Sequence, residues 1–227
     1  SGRYSVLAGR DVSFTGYVGT TTNNGSTWSW VEARGVSINS GSIDYAEHSG
    51  GLTIYAPFEN TSDSVVVMSK STNGGSSWTP TSTGYSGLVM ACLCPYGGNS
   101  DDNIVFVVIR ATDRIIKTTN GGTTWSDISP SGFDIDATGG VGGFVGFLIG
   151  DATTLYACNS TSGSSPLWKS TDGGASWIQV NSNLGALART LGLWPYNSDY
   201  IYMAQKNGGP YFSTNGGVSF ASKAGNW

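Results

Sequence analysis

Charge is scarce in this chain. Only 11% of its 227 residues are Asp, Glu, Lys or Arg, against about a quarter in an ordinary globular chain. The net charge is -4 and no run of like charges occurs. A nucleic-acid partner, which needs a basic stripe to neutralise phosphates, is therefore excluded. The single histidine, His48, rules out metal sites built from histidine clusters. It sits in the Glu47-His48-Ser49-Gly50-Gly51 stretch, which reads as a surface turn and not as part of a nucleophilic triad. Three cysteines, Cys92, Cys94 and Cys158, form neither a zinc spacing nor a Cys-x-x-Cys pair. Cys92 and Cys94 lie two apart in a strand-like run, so they share a face and read as buried thiols; one disulfide to Cys158 stays open. The most apolar window, Val141 to Ile149, is too short for a bilayer and is broken by Gly, so no membrane insertion is expected. No cofactor or metal is expected either. Ser1 in place of an initiating Met is read as a processed, trimmed or excised chain.

What is present is glycine (34 residues), Ser, Thr and Asn in abundance, with 38% hydrophobic and 12% aromatic residues. That mixture suits short strands and tight turns and disfavours long helices. Five eight-residue segments align without gaps: Thr21 to Trp28, Ser71 to Trp78, Thr118 to Trp125, Ser170 to Trp177 and Ser213 to Phe220. Their last, aromatic residues are separated by 50, 47, 52 and 43 residues. This period is the size of a four-stranded propeller blade.

Each segment has a turn logic. Asn23, Asn73, Asn120, Asp172 and Asn215 can bond back to amides of their own turn. Gly25, Gly75, Gly122, Gly174 and Gly217 stand where positive φ is expected. The Ser or Thr at the first and seventh places can bond across the hairpin, and Trp28, Trp78, Trp125, Trp177 and Phe220 bury beside it. The runs around the segments read as four strands per unit, with the segment joining the third to the fourth. The first unit lacks a first strand, since nothing precedes Tyr4 to Ala8 to supply it. The expected fold is an all-β propeller of about five four-stranded blades in one domain, 1–227, with blades near 1–34, 35–84, 85–131, 132–183 and 184–227. It is read as a five-bladed ring with a defective first blade or as an arc of a larger propeller.

The eight-residue strings resemble the Asp-box, or BNR repeat. The family includes sialidases, xyloglucan-degrading glycoside hydrolases, sortilin-type receptors, a photosystem assembly factor and lectins, so the resemblance implies the architecture and leaves function open. Four copies carry Asn where the family has Asp, which keeps the turn and removes charge. The resemblance also implies that the boxes lie opposite the ligand-binding mouth. Function then belongs to loops joining strand two to three and blade to blade.

That rule assigns Arg10, Asp11, Glu59, Asp63, Arg110, Asp113, Arg114 and Lys206 to the strand-two-to-three loops. Glu32, Arg34, Asp134, Asp136 and Arg189 fall in blade connections. Arg10, Arg34, Arg110, Arg114 and Arg189 are the candidate ligand-binding residues, because guanidinium pairs well with carboxylates and planar polar groups. Asp11, Asp113, Asp134 and Asp136 are the candidate carboxylates for glycoside hydrolysis, which needs two facing acids. A sialidase is disfavoured: the Arg-Ile-Pro string is missing, and only Glu32, Glu47 and Glu59 are available for a Tyr–Glu pair. Trp30, Trp168, Trp194, Tyr96 and Tyr196 are expected to pack between sheets. Phe58, Phe133 and Trp227 are candidates for stacking on a sugar.

The expectation that emerges is a non-catalytic recognition module binding glycan or protein through one face. A part of a glycoside hydrolase and a structural or assembly domain are the alternatives; an oligomer, or strand completion by another chain, would go with the last. Low charge and the permissive sequons at Asn24, Asn60 and Asn159 suit an extracellular, cell-surface or virion setting.

Overall fold

The computed structural model describes residues 5–10, 15–21, 23–41, 43–48, 51–95, 103–134, 146–149, 153–158, 166–182, 184, 188–194, 197–205 and 210–222. All of the secondary structure in them is strand and turn, and every strand pair is antiparallel. The chain divides into two compact units, Ser1–Asp127 and Ile128–Trp227. The first holds three blades. Blade 1 is β1 (Ser5–Arg10), β2 (Thr15–Thr21) and the start of β3 (Ser29–Gly41). Blade 2 adds β4 (Asp44–His48), β5 (Gly51–Asn60), β6 (Val65–Ser71) and β7 (Thr79–Ser86). Blade 3 is β8 (Leu88–Leu93), β9 (Val105–Arg110), β10 (Arg114–Thr118) and β11 (Ser126–Asp127).

The second unit holds two four-stranded sheets. These are β12 (Gly146–Ile149), β13 (Leu155–Cys158), β14 (Leu167–Ser170) and β15 (Ile178–Asn181), then β16 (Ala188–Trp194), β17 (Asn197–Gln205), β18 (Tyr211–Ser213) and β19 (Ala221–Ser222). Blades 3, 4 and 5 thus have the expected meander. Blades 1 and 2 differ from expectation, because β3 runs on past the boundary expected near residue 34. It changes partner between Ser37, opposite Thr15, and Ile38, opposite Asn60. Blades 1 and 2 therefore share one seven-stranded sheet. Among the described residues nothing pairs with the outer edge of β1.

Burial is graded across the middle blades. In blades 2, 3 and 4 the second strands, such as Val105 to Ile109, are buried on both faces, while the fourth strands are mostly exposed. Runs such as Val-Phe-Val-Val-Ile suit that two-sided burial. The core lies between successive sheets. Val18 of blade 1 packs with Ala56 and Phe58 of blade 2. Tyr55 and Met68 of blade 2 pack with Cys92, Val107 and Ile116 of blade 3. In the second unit, Tyr156 and Leu167 pack with Ile201 and Met203.

The five repeat hairpins are near copies of one another. The buried first-place hydroxyl donates to the third-place side-chain oxygen at 2.8–2.9 Å and accepts the fifth-place Gly amide at 2.8–3.1 Å. The third-place oxygen in turn accepts the seventh-place amide at 2.9–3.1 Å. The fifth-place glycines have φ between +82° and +93°, as expected. The fourth place is left-handed too, with φ from +56° at Asn24 to +71° at Gly173. Sequence reading missed a further bond. In blades 2 to 5 the fourth-place amide donates to a carbonyl at the start of the second strand: Leu52, Asn103, Thr153 or Asp199. The hairpin is thereby stapled to its own sheet.

Candidate functional site

In a four-stranded meander, links one-to-two and three-to-four leave from one end, and the remaining links gather at the other. The repeat hairpins occupy the first end, so the second collects the links to which function was assigned. In the first unit three described links meet there. They are the turn 61–64 between β5 and β6, Gly87 between β7 and β8, and the turn 111–113 between β9 and β10. The Gly87 amide donates to Ser64 O at 2.9 Å, and Thr112 Oγ1 donates to Ser86 O at 2.9 Å. A Cβ on Gly87 would stand 2.3 Å from Arg110 O, so only glycine lets these backbones approach so closely. Ser64, Ala111 and Asp113 are all left-handed, with φ of +56°, +71° and +53°. Each such non-glycine residue costs on the order of 1–3 kcal/mol, and such strain concentrates at functional sites.

Arg110 and Asp113 come together in this cluster. Arg114, at the start of β10, is engaged on the outer strand: its guanidinium pairs with the Asp127 carboxylate and lies 5.7 Å from the centre of the Tyr85 ring. Asp63 accepts the Val65 amide at 3.0 Å and shapes its own turn. Arg10, Arg34 and Arg189 are placed as backbone positions. Register sets Arg10 of β1 and Arg34 of β3 both opposite Gly16, so they stand abreast about 10 Å apart across two strand spacings. Arg189 is the extra residue of a bulge between Ala188 and Thr190. Met90, 41% exposed, is the extra residue of the corresponding bulge in β8. Bulges thus recur at the corresponding register of two first strands. Asp134 is half-buried beyond β11. Asp11, Asp136, Lys206, Tyr96, Tyr196 and Trp227 lie outside the described residues.

Several expectations are corrected. Glu59 is not in a loop but within β5, opposite Val66 and 5% exposed. Glu32 likewise lies within β3, opposite Tyr17. Phe58 and Phe133 are buried and cannot stack on a ligand. Phe133 packs edge-on against Trp168, 6.2 Å between ring centres. Trp30, expected to pack between sheets, is 54% exposed; its ring lies on Gly19 and stacks with Trp28 at 6.1 Å. None of the three cysteines forms a disulfide, and all three are buried. Burial, then Cys94 and the Asp44 carboxylate, push the Cys92 thiol well above its usual range. Asp44 Oδ2 accepts the Cys94 amide at 2.7 Å and so joins blade 2 to blade 3.

Two features escaped the sequence reading. One is a cross-strand pair beside three of the repeat hairpins. Lys70, Lys117 and Lys169 stand opposite Tyr55, Phe106 and Tyr156, each ammonium 5.3–5.5 Å from the ring centre. The signal was present, as a Lys directly before the hairpin. The second is a cleft of about 310 Å³ between the repeat hairpins of blades 2 and 3, with Lys70, Ser77, Thr79 and Asn120 on its walls. Among the described residues no cluster of His, Cys, Asp or Glu is placed to hold a metal ion. Nor is any helix there long and apolar enough to cross a membrane.

No family model and no curated protein sequence matches the chain. Solved structures do. A GH74 enzyme from Niastella koreensis superposes with a TM-score of 0.70 at 18% identity, covering 97% of this chain and 36% of its own. The chain thus spans about a third of the length of that enzyme. A structure of the nidogen/laminin complex gives a TM-score of 0.58 at 12% identity, covering 95% of this chain and 76% of the other. YCF48 bound to D1 peptide gives 0.57 at 13%, covering 96% and 71%. At such identities the likeness speaks for the fold alone. The small antiparallel sheets of this chain are those of a β-propeller.

Proposed function

We propose that the chain is a non-catalytic recognition module of the Asp-box propeller family. It binds a polar polymer, a polypeptide segment or a glycan, through the end of the blades opposite the repeat hairpins, in an extracellular, cell-surface or virion setting. The observation that carries this reading is the cluster of three left-handed non-glycine residues, Ser64, Ala111 and Asp113, tethered beside Arg110. Strain held in place by cross-links between separate turns is the mark of a preorganised contact surface. A polypeptide ligand is supported by two structures of like fold, one of YCF48 with D1 peptide and one of the nidogen/laminin complex. Arg10 and Arg34 extend the same end of blade 1 and are assigned to it, and Arg189 is the candidate at the corresponding end of blade 5, in the second unit.

The test is a screen of the full chain against peptide and glycan arrays, followed by titration of the hits with variants. Arg110→Ala should weaken binding about tenfold, the loss of one charge-assisted contact. Ala111→Gly should raise stability by about 1 kcal/mol while weakening the same ligand. Binding unchanged in both variants would sink the assignment of this end.

A second reading is favoured by the superposition on the Niastella enzyme: part of a glycoside hydrolase, with Asp113, Asp134 and the sequence candidates Asp11 and Asp136 as acids. Oligosaccharide hydrolysis abolished by Asp113→Asn or Asp134→Asn would replace the first reading with this one.

A further inference from the structure

The cleft between the repeat hairpins of blades 2 and 3 lies wholly within the first unit, at the end of the blades not assigned to recognition. Alternation along two paired strands builds one wall. Lys70 stands opposite Thr79 and Met68 opposite Thr81, so β6 and β7 present all four on one face. Thr72 and Ser77 continue that wall into the hairpin of blade 2. The hairpin of blade 3 forms the other wall, with Gly121 and Gly122 between Asn120 and Thr123. Met68, 1% exposed, is the floor; a Cβ on Gly122 would touch its Cγ at 3.6 Å. The result is a space of about 310 Å³, lined by hydroxyls around the ammonium of half-buried Lys70.

Blades 4 and 5 contain the same arrangement with its charge balanced. There a Cβ on Gly216 would stand 2.9 Å from both Lys169 Nζ and Asp199 Oδ1, and 3.3 Å from Tyr156 OH. Lys169 donates to that carboxylate at 2.9 Å. In blades 2 and 3 a Cβ on Gly121 would collide with Lys70 Nζ and stand 3.0 Å from Asn103 Oδ1 and 3.4 Å from Tyr55 OH. Asn103 and Asp199 are equivalent, because their carbonyls accept the Gly121 and Gly216 amides at 2.9 and 3.0 Å. An amide oxygen therefore takes the place of the carboxylate and brings no charge to set against Lys70. Among the described residues no acid pairs with Lys70, whose ammonium lies 5.3 Å from the centre of the Tyr55 ring. The acids next to Asn103 in sequence, Asp101 and Asp102, lie outside the described residues. The cross-strand neighbour differs too: Thr79 opposite Lys70 corresponds to Ile178 opposite Lys169. Of the two arrangements, that of blades 2 and 3 combines an unbalanced cation with hydroxyl walls.

We infer that this cleft is a second binding site, independent of the recognition end, for a hexuronate: the sugar carboxylate pairs with the Lys70 ammonium, and the ring hydroxyls bond to Ser77, Thr79 and Thr81. One ammonium matches the single charge of a carboxylate. Side-chain hydroxyls, each both donor and acceptor, match sugar hydroxyls of either orientation. The volume stands at the lower end of small-molecule sites, the size for one sugar unit.

Saturation-transfer NMR titration of the full chain with glucuronate, glucose and acetate tests this. Glucuronate should bind saturably with a Kd on the order of 1 mM, the value for about 13 non-hydrogen atoms at ordinary ligand efficiency. Glucose, which lacks the charge, and acetate, which lacks the hydroxyls, should each bind about tenfold more weakly. Lys70→Met keeps an apolar stem over Tyr55 and should weaken glucuronate about tenfold or more. Asn103→Asp rebuilds around Lys70 the balanced arrangement of blades 4 and 5, and should cost as much while the cation remains. Circular dichroism checks that both variants fold. A wild type without saturable binding would overturn the inference, as would undiminished binding in both variants. Acetate as tight as glucuronate would leave a site for any carboxylate and refute the sugar. Loss of glucuronate in Arg110→Ala with none in Lys70→Met would place the sugar at the recognition end and refute this site.

Discussion

Three glycines at the fifth place of the repeat hairpins separate backbone strain from packing. Gly25, Gly75 and Gly122 share a φ of +82° to +92° and belong to one compact unit, so Ala at any of them meets the same left-handed strain, about 1–2 kcal/mol. Their surroundings differ. A Cβ on Gly25 would meet only its own Trp28 at 3.8 Å, and one on Gly122 would touch Met68 Cγ at an ordinary 3.6 Å. On Gly75 it would stand 2.7 Å from Thr20 Cγ2 of the neighbouring blade. Thr20 is β-branched and stiff at χ1, so the collision is not relieved by swinging a flexible chain end. Overpacking of this kind adds about 1–3 kcal/mol. Gly75→Ala should therefore cost about 2–5 kcal/mol, against about 1–2 for Gly25→Ala and Gly122→Ala. Urea titration followed by tryptophan fluorescence measures the three together. Thr20→Ser removes the offending methyl, so the double variant Gly75→Ala/Thr20→Ser should recover most of the extra loss. Three equal losses, or no coupling between positions 20 and 75, would refute the account of how blades 1 and 2 meet.

The remaining predictions concern titration and reactivity. Hydrogen bonds from the Ser176 hydroxyl and amide, then from Ser170, hold Asp172 down at about 2 from an ordinary 3.8. Its contribution is present above the ordinary value and is lost as pH falls through the folded one. Asp172→Asn should remove that acid-sensitive component, so thermal melts of the two proteins should converge between about pH 5 and about pH 2; parallel curves over this range would contradict it. The buried Cys92, Cys94 and Cys158 should resist a thiol reagent at mildly alkaline pH until the chain is unfolded. Rapid labelling of the native protein would place at least one of them at the surface.

The hairpins were legible in the sequence because each is built from its own eight residues. Asn23 bonds to Thr21 and Thr27, and the Gly25 amide donates to the Thr21 hydroxyl, so their spacing states their geometry. The four-stranded blades followed from the run lengths between hairpins. What lay beyond reach depends on partners distant in sequence. Phe58 and Trp30 both lie within strands, yet one meets Val18 of blade 1 and is buried while the other is exposed. Nothing local distinguishes the two. The course of β3 was also hidden, since the blade boundary expected between residues 34 and 35 falls where the strand runs on. Of the candidate site, Arg110 and Asp113 were named from the loop rule. The left-handed Ser64 and Ala111 were not, because neither residue type announces positive φ.

The path of β3 has a mechanical consequence. A backbone hydrogen-bonded to blade 1 along one stretch and to blade 2 along the next leaves no slack at the joint. Opening either sheet at that point pulls on the other, so the two should exchange their amide hydrogens as one cooperative block. Blades joined by a looser link are free to breathe singly; this pair is yoked.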